Sequence, residues 1–458
     1  MAIATVNPAT GKTERTFDEL SDAGLEARIQ SAADCARRYP YTSFTQRAQW
    51  MRAAADLLDA ERDQIAATMT REMGKTLASA RAEAAKCATG MRYYAEHAEA
   101  FLADEPADAS AVGAARAFAR YEPLGVVLAV MPWNFPLWQA VRFAAPALMA
   151  GNVGLLKHAS NVPQSALYLG DLFERAGFPA GAFQTLLISA RRVERVLRDP
   201  RVAAVTLTGS EDAGRAVGRV AGEALKKAVL ELGGSDPFLV LPSADVARAA
   251  EVATVARCQN NGQSCIAAKR FIVHEDVYED FAARLVERMS ALVVGDPADG
   301  DTQLGPLATE QGRTEVEDLV ADAVTRGASV LCGGRRPERD GWFYPATVLA
   351  DVTAEMRVFH EELFGPVAVL YRVGSLDEAL AVANATRFGL GSNAWTRDEA
   401  EAERCQRELQ AGAVFVNGMT TSYPQLPFGG IKASGFGREL SAQGIREFCN
   451  VKTIWAAA

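Results

Sequence analysis

The sequence predicts an α/β protein built from two consecutive α/β domains. The chain has 458 residues, more than one hydrophobic core normally organises, so two or three domains are expected. Strand and helix patterns alternate from residue 125 to 232, which predicts a doubly wound parallel sheet. After Gly233 and Gly234 the alternation restarts and continues to residue 418, which predicts a second α/β domain.

The first half opens with helical patterns from about residue 19 to 104, of which residues 72–102 form the longest. Helices are also predicted at 138–150 and 163–177, in a short stretch after residue 188, and from Ser210 onward. The strands predicted between these helices are 125–131, 153–157, 183–188, 203–209 and 228–232.

The second half follows the same rhythm. Helical patterns run over 245–261, 277–292 and 376–386. Residues 296–305 and 332–344 are rich in glycine, proline and charge, and are predicted to be surface connections. The predicted strands are 237–241, 270–274, 367–373, 392–396 and 413–418.

Composition excludes several classes of partner. The hydrophobic fraction of 49% and charged fraction of 23% are those of an ordinary globular protein. A net charge of -9 repels nucleic-acid phosphates and acidic membrane surfaces, so neither partner is expected. Residues 124–156 are apolar enough to resemble a membrane span, with Arg142 as their only charge. Prolines 132, 136 and 146 would break such a helix, which favours a strand, a loop and a packed helix instead.

The seven cysteines form no metal or disulfide pattern. They contain no CxxC pair, and the chain has only four histidines, so no metal site is expected. The odd count favours a reducing compartment, and residues 1–12 lack a charged-then-apolar leader. We therefore expect a cytoplasmic protein.

One cysteine stands apart from the others. Cys265 ends the short polar loop NNGQSC (260–265), which follows the helical pattern over 245–261. Structural cysteines usually lie inside apolar runs, whereas this thiol follows Gln263 and Ser264. The setting suits a nucleophile. An inert loop cysteine remains the alternative when the loop is considered alone.

A phosphate-binding signal is weak in this sequence. A dinucleotide-binding fold usually carries GxGxxG between a strand and a helix, and the chain has none. In TGSEDAG (208–214) a strand ends at Gly209 and Ser210 can cap the next helix, which leaves backbone N–H groups free for an anion. Serine caps many helices that bind nothing, so the motif alone leaves the question open.

Six motifs together point to a family. In order along the chain they are MPWNFPLW (131–138), TLTGS (206–210), LELGG (230–234), NNGQSC (260–265), EELFGPV (361–367) and PFGGIKASGFGRE (427–439). Their order and spacing resemble the aldehyde dehydrogenase superfamily over essentially the whole chain, and most of all its shorter, bacterial succinate-semialdehyde dehydrogenases. The resemblance implies a Rossmann-like cofactor domain, an α/β catalytic domain and a small oligomerisation element.

The chemistry of aldehyde oxidation explains why such residues are needed. A thiolate at Cys265 adds to the carbonyl and creates a tetrahedral centre from which hydride can leave. The side-chain amide of Asn134 and the Cys265 backbone N–H can stabilise the alkoxide, although Asn134 between two prolines also suits a turn. Glu231 lies at the end of an apolar strand, where burial would raise its pKa and suit it to be the base for thioester hydrolysis. A solvent-facing Glu231 is the alternative, and the resemblance places Glu439 near the water route.

The resemblance also implies a set of cofactor-binding residues. The position of Ser160 holds glutamate in many NAD-preferring relatives, where it repels the 2′-phosphate of NADP. A neutral serine next to Lys157 therefore predicts that NADP is preferred and NAD accepted less well. The predicted cofactor-binding residues are Trp133, Asn134, Lys157, His158, Ala159, Ser160, Gly209, Ser210, Leu232 and Glu362.

The predicted substrate is succinate semialdehyde. Arg142 lies on an apolar helix, where an unpaired charge is costly, and the family's carboxylate-binding arginine falls at this position. Ser422 matches a substrate-binding serine, but Gln259 stands where a second arginine is expected. Glutarate semialdehyde or a broader aldehyde range therefore stays open, as does an Arg142 that pairs with a buried carboxylate. More distant alternatives are an acyltransferase that uses Cys265 without nicotinamide and a non-catalytic protein.

The predicted domains are discontinuous. Residues 1–104 and 122–232 form the cofactor domain, 233–425 the catalytic domain, and 105–121 with 426–458 the oligomerisation element. The tail GIREFCNVKTIW (444–455) is apolar and strand-like, which predicts that it pairs with the sheet of a neighbouring subunit. A homodimer or homotetramer is expected.

Overall fold

The computed structural model describes residues 2–457. Their strands form two large sheets, of six and seven strands, and two smaller sheets, of two and three strands. Eighteen strands lie within the described residues. In chain order they are β1 Ile3–Asn7, β2 Lys12–Phe17, β3 Glu105–Pro106, β4 Arg116–Pro123, β5 Val126–Met131, β6 Val153–His158, β7 Phe183–Thr185, β8 Val202–Thr208, β9 Lys227–Glu231, β10 Asp236–Val240, β11 Ala268–His274, β12 Ser329–Cys332, β13 Thr347–Ala350, β14 Val367–Val373, β15 Asn393–Trp395, β16 Phe415–Val416, β17 Gly435–Phe436 and β18 Cys449–Ala456.

Fifteen α-helices accompany these strands in the part of the chain from 2 to 457. They are α1 Asp22–Ala36, α2 Phe44–Ala60, α3 Arg62–Met73, α4 Leu77–Phe101, α5 Trp138–Ala150, α6 Pro163–Arg175, α7 Val193–Arg198, α8 Glu211–Glu223, α9 Val246–Cys258, α10 Glu275–Ser290, α11 Glu310–Thr325, α12 Arg357–His360, α13 Leu376–Asn384, α14 Glu399–Glu408 and α15 Ser441–Arg446.

The first large sheet confirms the predicted doubly wound order. Its strands run β17-β9-β8-β5-β6-β7, and all are parallel except β17, which joins β9 in antiparallel fashion. The chain winds from β5 to β6 and β7 on one side and from β8 to β9 on the other. The carboxyl ends of β5 and β8 therefore flank a topological switch point, where α/β proteins bind ligands.

The second large sheet confirms the predicted second domain. Its order is β12-β13-β14-β11-β10-β15-β16, parallel except for the antiparallel edge strand β12. The sequence analysis missed α11, whose apolar pattern is interrupted by charge and glycine, and also β12 and β13, which are only four residues long each. The apolar stretch 124–156 consists of buried β5, α5 and β6, as predicted. No helix within residues 2–457 combines the length and the apolar character that a membrane span requires.

The opening segment differs from its prediction in two places. Residues 3–17 form the hairpin β1–β2, whose second strand is almost fully exposed and so shows no apolar alternation. The long helical pattern over 72–102 is divided at Gly74, which has a φ of 79°. A Cβ at Gly74 would lie 2.8 Å from the Pro306 carbonyl oxygen, so the break is where the opening helices meet the second domain's loop.

The C-terminal tail corrects one prediction. Residues 444–446 belong to α15 rather than to a strand, and β18 pairs along its whole length with β4 of its own chain. The third sheet therefore has the order β18-β4-β3 and leaves the outer edge of β18 open. β17 also lies in the predicted oligomerisation segment 426–458, yet it adds an edge strand to the first large sheet.

Candidate active site

The loop that carries Cys265 has an unusual backbone held by buried side chains. α9 ends at Cys258, and Asn260 and Asn261 both have left-handed φ values, of 55° and 57°. The Asn261 amide donates to the carbonyl oxygens of Gly74 at 2.7 Å and Pro306 at 2.9 Å. Asparagine tolerates this conformation better than most residues, and its amide here fixes the turn to its surroundings.

Gly262 completes the turn with a φ of 75°. A Cβ at this position would overlap the backbone of Gly365 and Pro366, so only glycine fits. The loop that carries Cys265 therefore packs directly against the EELFGPV motif. The two motifs, about 100 residues apart in the chain, meet through this glycine.

The thiol of Cys265 is half-buried and sits close to two cations. Burial raises the pKa of Cys265 to about 12, and the positive charges of Arg142 and Lys269 only partly oppose this rise. Lys269 donates to the Cys265 carbonyl oxygen at 2.8 Å and to that of Ser264 at 3.1 Å. The resting thiol is therefore protonated at neutral pH and must transfer its proton to act as a nucleophile.

Asn134 lies directly against the loop that carries Cys265, where a donor for the predicted oxyanion site would have to be. The side chain is buried, and its Nδ2 donates to the Gln263 carbonyl oxygen at 3.0 Å. In return Asn260 donates to the Asn134 carbonyl oxygen at 2.7 Å. One of the two N–H bonds of Nδ2 is thus engaged and the other stays available for an oxyanion.

Two buried groups anchor the loop that carries Asn134. Glu83 on α4 forms an ion pair with Lys75 and accepts the backbone N–H groups of Leu137 at 2.8 Å and Trp138 at 2.9 Å. These are the first N–H groups of α5, which lack partners inside the helix. Neither Glu83 nor Lys75 was predicted as part of the site, because both look like ordinary helix-surface charges in the sequence.

His158 provides the second anchor. Its Nε2 lies 2.7 Å from the Pro136 carbonyl oxygen, and its Nδ1 accepts the Ala159 N–H at 2.9 Å. Burial lowers the pKa of His158 to about 4, so the ring is neutral at physiological pH and donates from Nε2. Because both ring nitrogens are engaged, only the backbone of His158 is free to contact a cofactor.

Glu231 is buried rather than solvent-facing. Among residues 2–457, no side chain hydrogen-bonds to its carboxylate oxygens, and the backbone N–H of Gly430 is a main-chain donor near them. Burial raises the pKa of Glu231 well above its usual range, and the nearby Glu439 raises it further. One oxygen lies 2.8 Å from where a Cβ of Gly429 would be, so the side chain points toward the PFGG motif. A carboxyl with a raised pKa is a stronger proton acceptor, once ionised, than an ordinary carboxylate.

Arg142 is not the unpaired charge that the sequence analysis expected. It is buried and forms an ion pair with the equally buried Glu439. Its guanidinium also lies over the Phe428 ring, 4.6 Å from the centroid, and its Nη2 is 3.4 Å from Thr208 Oγ1. The alternative that pairs Arg142 with a buried carboxylate is therefore the one that the structure contains.

Two cavities meet at Cys265. The larger, of about 290 Å³, lies outside the carboxyl ends of β5, β8 and β9, at the switch point of the first sheet. Thr208 and Phe364 also line it but were not predicted. The predicted cofactor residues in its wall are Trp133, Asn134, Gly209, Ser210, Leu232 and Glu362.

The chemistry of this larger cavity fits a dinucleotide. Ser210 caps α8 by accepting the Ala213 N–H at 3.3 Å, so the first N–H groups of the helix are directed toward the cavity. Glu362 receives the Gly234 N–H at 3.2 Å and pairs with Lys269 at 3.1 Å. Its remaining lone pairs can accept ribose hydroxyl groups.

The segment from Lys157 to Ser160 lies at the end of β6, beside the cavity rather than in its wall. Desolvation by burial lowers the pKa of Lys157. Within the described residues 2–457, no carboxylate lies within 4 Å of its ammonium group. A buried cation without an ionic partner suits a phosphate or a ribose. Ala159 and Ser160 are half-buried, and the Ser160 carbonyl oxygen accepts the Ala4 N–H of β1 at 3.0 Å.

The smaller cavity has a volume of about 200 Å³ and lies on the other side of the thiol. Gln139 and Cys265 line both cavities, which makes them the contact between the two. Arg142 and Ser422, the two predicted substrate-binding residues, line the smaller cavity, and so does Gln259, which stands where an arginine was expected. The sequence analysis missed Lys86 and Trp138, which approach from α4 and α5.

The fold and the site define a class of protein: an α/β enzyme in which one cysteine, Cys265, lies between a cleft at a sheet's switch point and a second, smaller cavity. The chain belongs to the aldehyde dehydrogenase family, whose model matches residues 1–454. Within residues 2–457, no cluster of three His, Cys, Asp or Glu side chains is placed to hold a metal ion.

Curated relatives cover the whole chain. It is 65% identical over 457 residues to "Succinate-semialdehyde dehydrogenase [NADP(+)] 1" of Mycobacterium tuberculosis (strain ATCC 25618 / H37Rv), covering 100% of both proteins. It is 64% identical over 457 residues to "Succinate-semialdehyde dehydrogenase [NADP(+)]" of Mycobacterium leprae, again covering 100% of both.

Two solved structures are similar in fold over nearly the whole chain. The succinic semialdehyde dehydrogenase of Streptococcus pyogenes, solved in complex with NADP+, has a TM-score of 0.96 and 37% identity, covering 99% of this chain and 100% of that one. The succinate-semialdehyde dehydrogenase of Burkholderia pseudomallei has a TM-score of 0.96 and 35% identity, covering 100% of this chain and 95% of that one.

Proposed function

We propose that this protein oxidises succinate semialdehyde to succinate with NADP as the hydride acceptor. The observation that carries the proposal is the 65% identity, over the full length of both chains, to a relative named for this substrate and this cofactor. A cavity of about 200 Å³ that contains cationic and hydroxyl side chains beside the thiol suits a short aldehyde with a polar end.

The proposed reaction begins with the Cys265 thiol. Its sulfur bonds to the aldehyde carbon as the S–H bond breaks and the proton passes to solvent water. The thiohemiacetal oxyanion that forms accepts hydrogen bonds from Asn134 Nδ2 and the Cys265 backbone N–H. When bound, NADP accepts the hydride that this carbon loses. Trp133, Gly209, Ser210, Leu232 and Glu362 would hold the cofactor in the larger cavity.

Loss of hydride leaves a thioester on Cys265 that water must cleave. We assign Glu231 as the base that takes a proton from this water, since its buried carboxyl has a raised pKa and no side-chain hydrogen-bond partner within residues 2–457. Cleavage yields the carboxylate product and returns the proton to the sulfur. In this structure the Glu231 side chain points toward Gly429 and lines neither cavity, so the proposed step requires it to turn toward the thioester.

Glu231→Gln tests this step directly. We expect a burst of reduced cofactor, close to one equivalent per site, followed by slow turnover, because only hydrolysis is blocked. Stopped-flow absorbance of the reduced cofactor measures both phases. An unchanged steady-state rate would remove Glu231 from the mechanism.

The cofactor preference follows from the end of β6. Lys157 lacks an ionic partner within 4 Å among residues 2–457, and Ser160 offers a neutral hydroxyl instead of a repelling carboxylate. These two side chains would hold the 2′-phosphate of NADP. NAD should be accepted less well.

The proposed function is tested by mixing purified protein with an aldehyde and a nicotinamide cofactor and recording absorbance of the reduced cofactor. Succinate semialdehyde, glutarate semialdehyde and butanal are compared, each with NADP and with NAD. The highest kcat/KM is expected for succinate semialdehyde with NADP. A higher value for either other aldehyde would overturn the substrate assignment, and no reduced cofactor with any of them would favour an acyltransferase.

We also propose that the protein is a homodimer or homotetramer in a reducing, cytoplasmic environment. The open edge of β18 supports the assembly, since an eight-residue edge strand that includes exposed Val451 and Trp455 invites pairing or packing. The seven cysteines, all free in the described chain, support the reducing environment. Light scattering after size-exclusion chromatography tests the assembly, and a monomer would contradict it.

A further inference from the structure

The smaller cavity contains a cation that neither the sequence motifs nor the mechanism uses. Lys86 extends from α4 to the cavity wall, where its ammonium group donates to Ser422 Oγ at 2.7 Å. The same group lies 4.5 Å from the centroid of the Trp138 ring. Among residues 2–457, no carboxylate lies within 4 Å of it, since the neighbouring Glu83 pairs with Lys75 instead.

Ser422 is oriented by two donors. Its hydroxyl oxygen accepts both from Lys86 and from Trp138 Nε1, the latter at 3.0 Å. A serine hydroxyl has two acceptor lone pairs and one donor hydrogen. With both lone pairs occupied, the O–H hydrogen is left to donate to something in the cavity.

Gln259 adds a third donor to the same wall. Its Nε2 is buried and has no hydrogen-bond partner within the described chain. This is the position where the family resemblance leads one to expect an arginine. The Lys86, Ser422 and Gln259 side chains therefore present an ammonium, a hydroxyl hydrogen and an amide N–H to the cavity. Three converging donors, one of them charged, suit the oxygen atoms of an anion.

We propose that Lys86, Ser422 and Gln259 together form the subsite that binds the carboxylate of the substrate, with Lys86 as its cation. This inference rests on the proposed function, because it assigns the recognition of the carboxylate end of that substrate. Arg142 is then the ionic partner of Glu439 rather than the primary carboxylate ligand. The lysine on α4 takes the place of the arginine that is absent at position 259.

The surroundings of Lys86 add a pH dependence to this subsite. Burial, then the positive charge of Arg142, lowers the pKa of Lys86 to about 8, while Cys87, Glu83 and Cys265 act in the opposite direction. The ammonium charge is therefore lost as the pH rises through about 8 in the free enzyme. Recognition of a carboxylate should weaken over the same interval.

The test compares succinate semialdehyde with butanal, an aldehyde of equal chain length without the carboxylate. Lys86→Met keeps the length of the side chain and removes its charge. We expect the ratio of kcat/KM for the two substrates to fall about 10- to 100-fold in Lys86→Met, mainly through KM for succinate semialdehyde, because a charge-assisted bond is lost. Lys86→Arg should restore most of the ratio.

Arg81→Met is the matched control, since it removes a positive charge from the exposed face of the same helix. It should leave the ratio unchanged. In the wild-type protein the ratio should also decrease above about pH 8, and this decrease should be absent from Lys86→Met. Because both substrates use Cys265, titration of the thiol cancels in the ratio.

A measurement without turnover guards against misfolded variants. In a Cys265→Ala background, calorimetric binding of succinate should weaken about 10- to 100-fold when Lys86→Met is added, while the thermal midpoint changes little. A wild-type preference for succinate semialdehyde that Lys86→Met retains would overturn this inference and leave the proposed function intact. A wild-type protein without that preference would overturn both.

Discussion

The Cys265 thiol is held in a state that resists ionisation. Burial raises its pKa to about 12, although Arg142 and Lys269 lie nearby. A free thiol has a pKa of about 8.5, so at neutral pH the fraction of thiolate at Cys265 is far smaller than in solution. The enzyme without its ligands should therefore be protected from oxidation at Cys265, the proposed nucleophile.

This state predicts a pH profile for alkylation. Inactivation of the ligand-free protein by iodoacetamide should accelerate about tenfold per pH unit, without a plateau below pH 9, because the thiolate fraction rises in that proportion below the pKa. Residual dehydrogenase activity after timed exposure gives the rate. The six other cysteines lie outside the two cavity walls, so loss of activity reports on Cys265. A plateau near pH 7 would show that the resting thiol is ionised.

Ser160 provides a second test at the residue scale. Two like charges about 4 Å apart interact by roughly 4 kcal/mol at an effective dielectric near 20. Ser160→Glu should therefore raise KM for NADP by about tenfold or more while changing KM for NAD much less. Ser160→Ala, which adds no charge, is the control. A wild-type enzyme with a higher kcat/KM for NAD would show that this interpretation of the position is wrong.

At the scale of elements, the catalytic loop depends on a helix distant in sequence. Glu83 on α4 receives the first N–H groups of α5 and pairs with Lys75, whose ammonium also lies 4.4 Å from the Phe135 ring centroid. These contacts join the turn between α3 and α4 to the turn that carries Asn134. A substitution at Glu83 should therefore displace Asn134, the proposed oxyanion donor, through these contacts.

Glu83→Gln keeps an acceptor for the two N–H groups but leaves Lys75 without its ionic partner. Breaking a buried ion pair from one side typically costs about 3–5 kcal/mol, so the midpoint of urea unfolding should fall clearly. kcat should fall as well, because Asn134 is less well positioned. Asp63→Asn, which breaks the exposed Arg81 pair, should change neither quantity measurably. Equal effects of the two substitutions would argue against a special role for Glu83.

The sequence predicted those elements whose pattern is local. β5, α5 and β6 were identifiable because apolar runs alternate with prolines and glycines at their ends. The hairpin β1–β2, α11 and β12 were missed, since exposed or interrupted patterns give a strand or helix only through tertiary contacts. The strand-like look of residues 444–446 was overridden by packing of α15 against the opening helices.

Within the site, residues in the family's motifs could be predicted and their ionic partners could not. Arg142 was identified, but Glu439 is almost 300 residues away in the chain, so no pattern joins the two. Lys86 lies in an alanine-rich helical stretch where a lysine looks like an ordinary surface charge. Only folding shows that both cations reach the same cavity wall.

At the scale of the whole molecule, the Arg142–Glu439 pair joins α5 of the first domain to the segment that follows β17. Both side chains are buried, and the Phe428 ring packs over the guanidinium. Burial raises the pKa of Glu439, and Arg142 opposes that rise. The pair also lies next to Glu231, whose pKa Glu439 raises and Arg142 lowers. This one ion pair therefore connects the C-terminal segment to α5 and also influences the pKa of Glu231, the proposed base.

Arg142→Met should therefore act on stability and on both substrates. It leaves Glu439 buried without a partner, which typically costs about 3–5 kcal/mol. The folded-state pKa of Glu439 is raised above its unfolded value, so the folded protein favours its protonated form, and stability is lost as the pH rises through the folded pKa. Without Arg142 this loss should grow, which makes the deficit in unfolding midpoint larger at pH 8 than at pH 5. Adding Glu439→Gln should recover much of it. Activity should fall on succinate semialdehyde and butanal alike, whereas a loss confined to succinate semialdehyde would return Arg142 to the carboxylate subsite in place of Lys86.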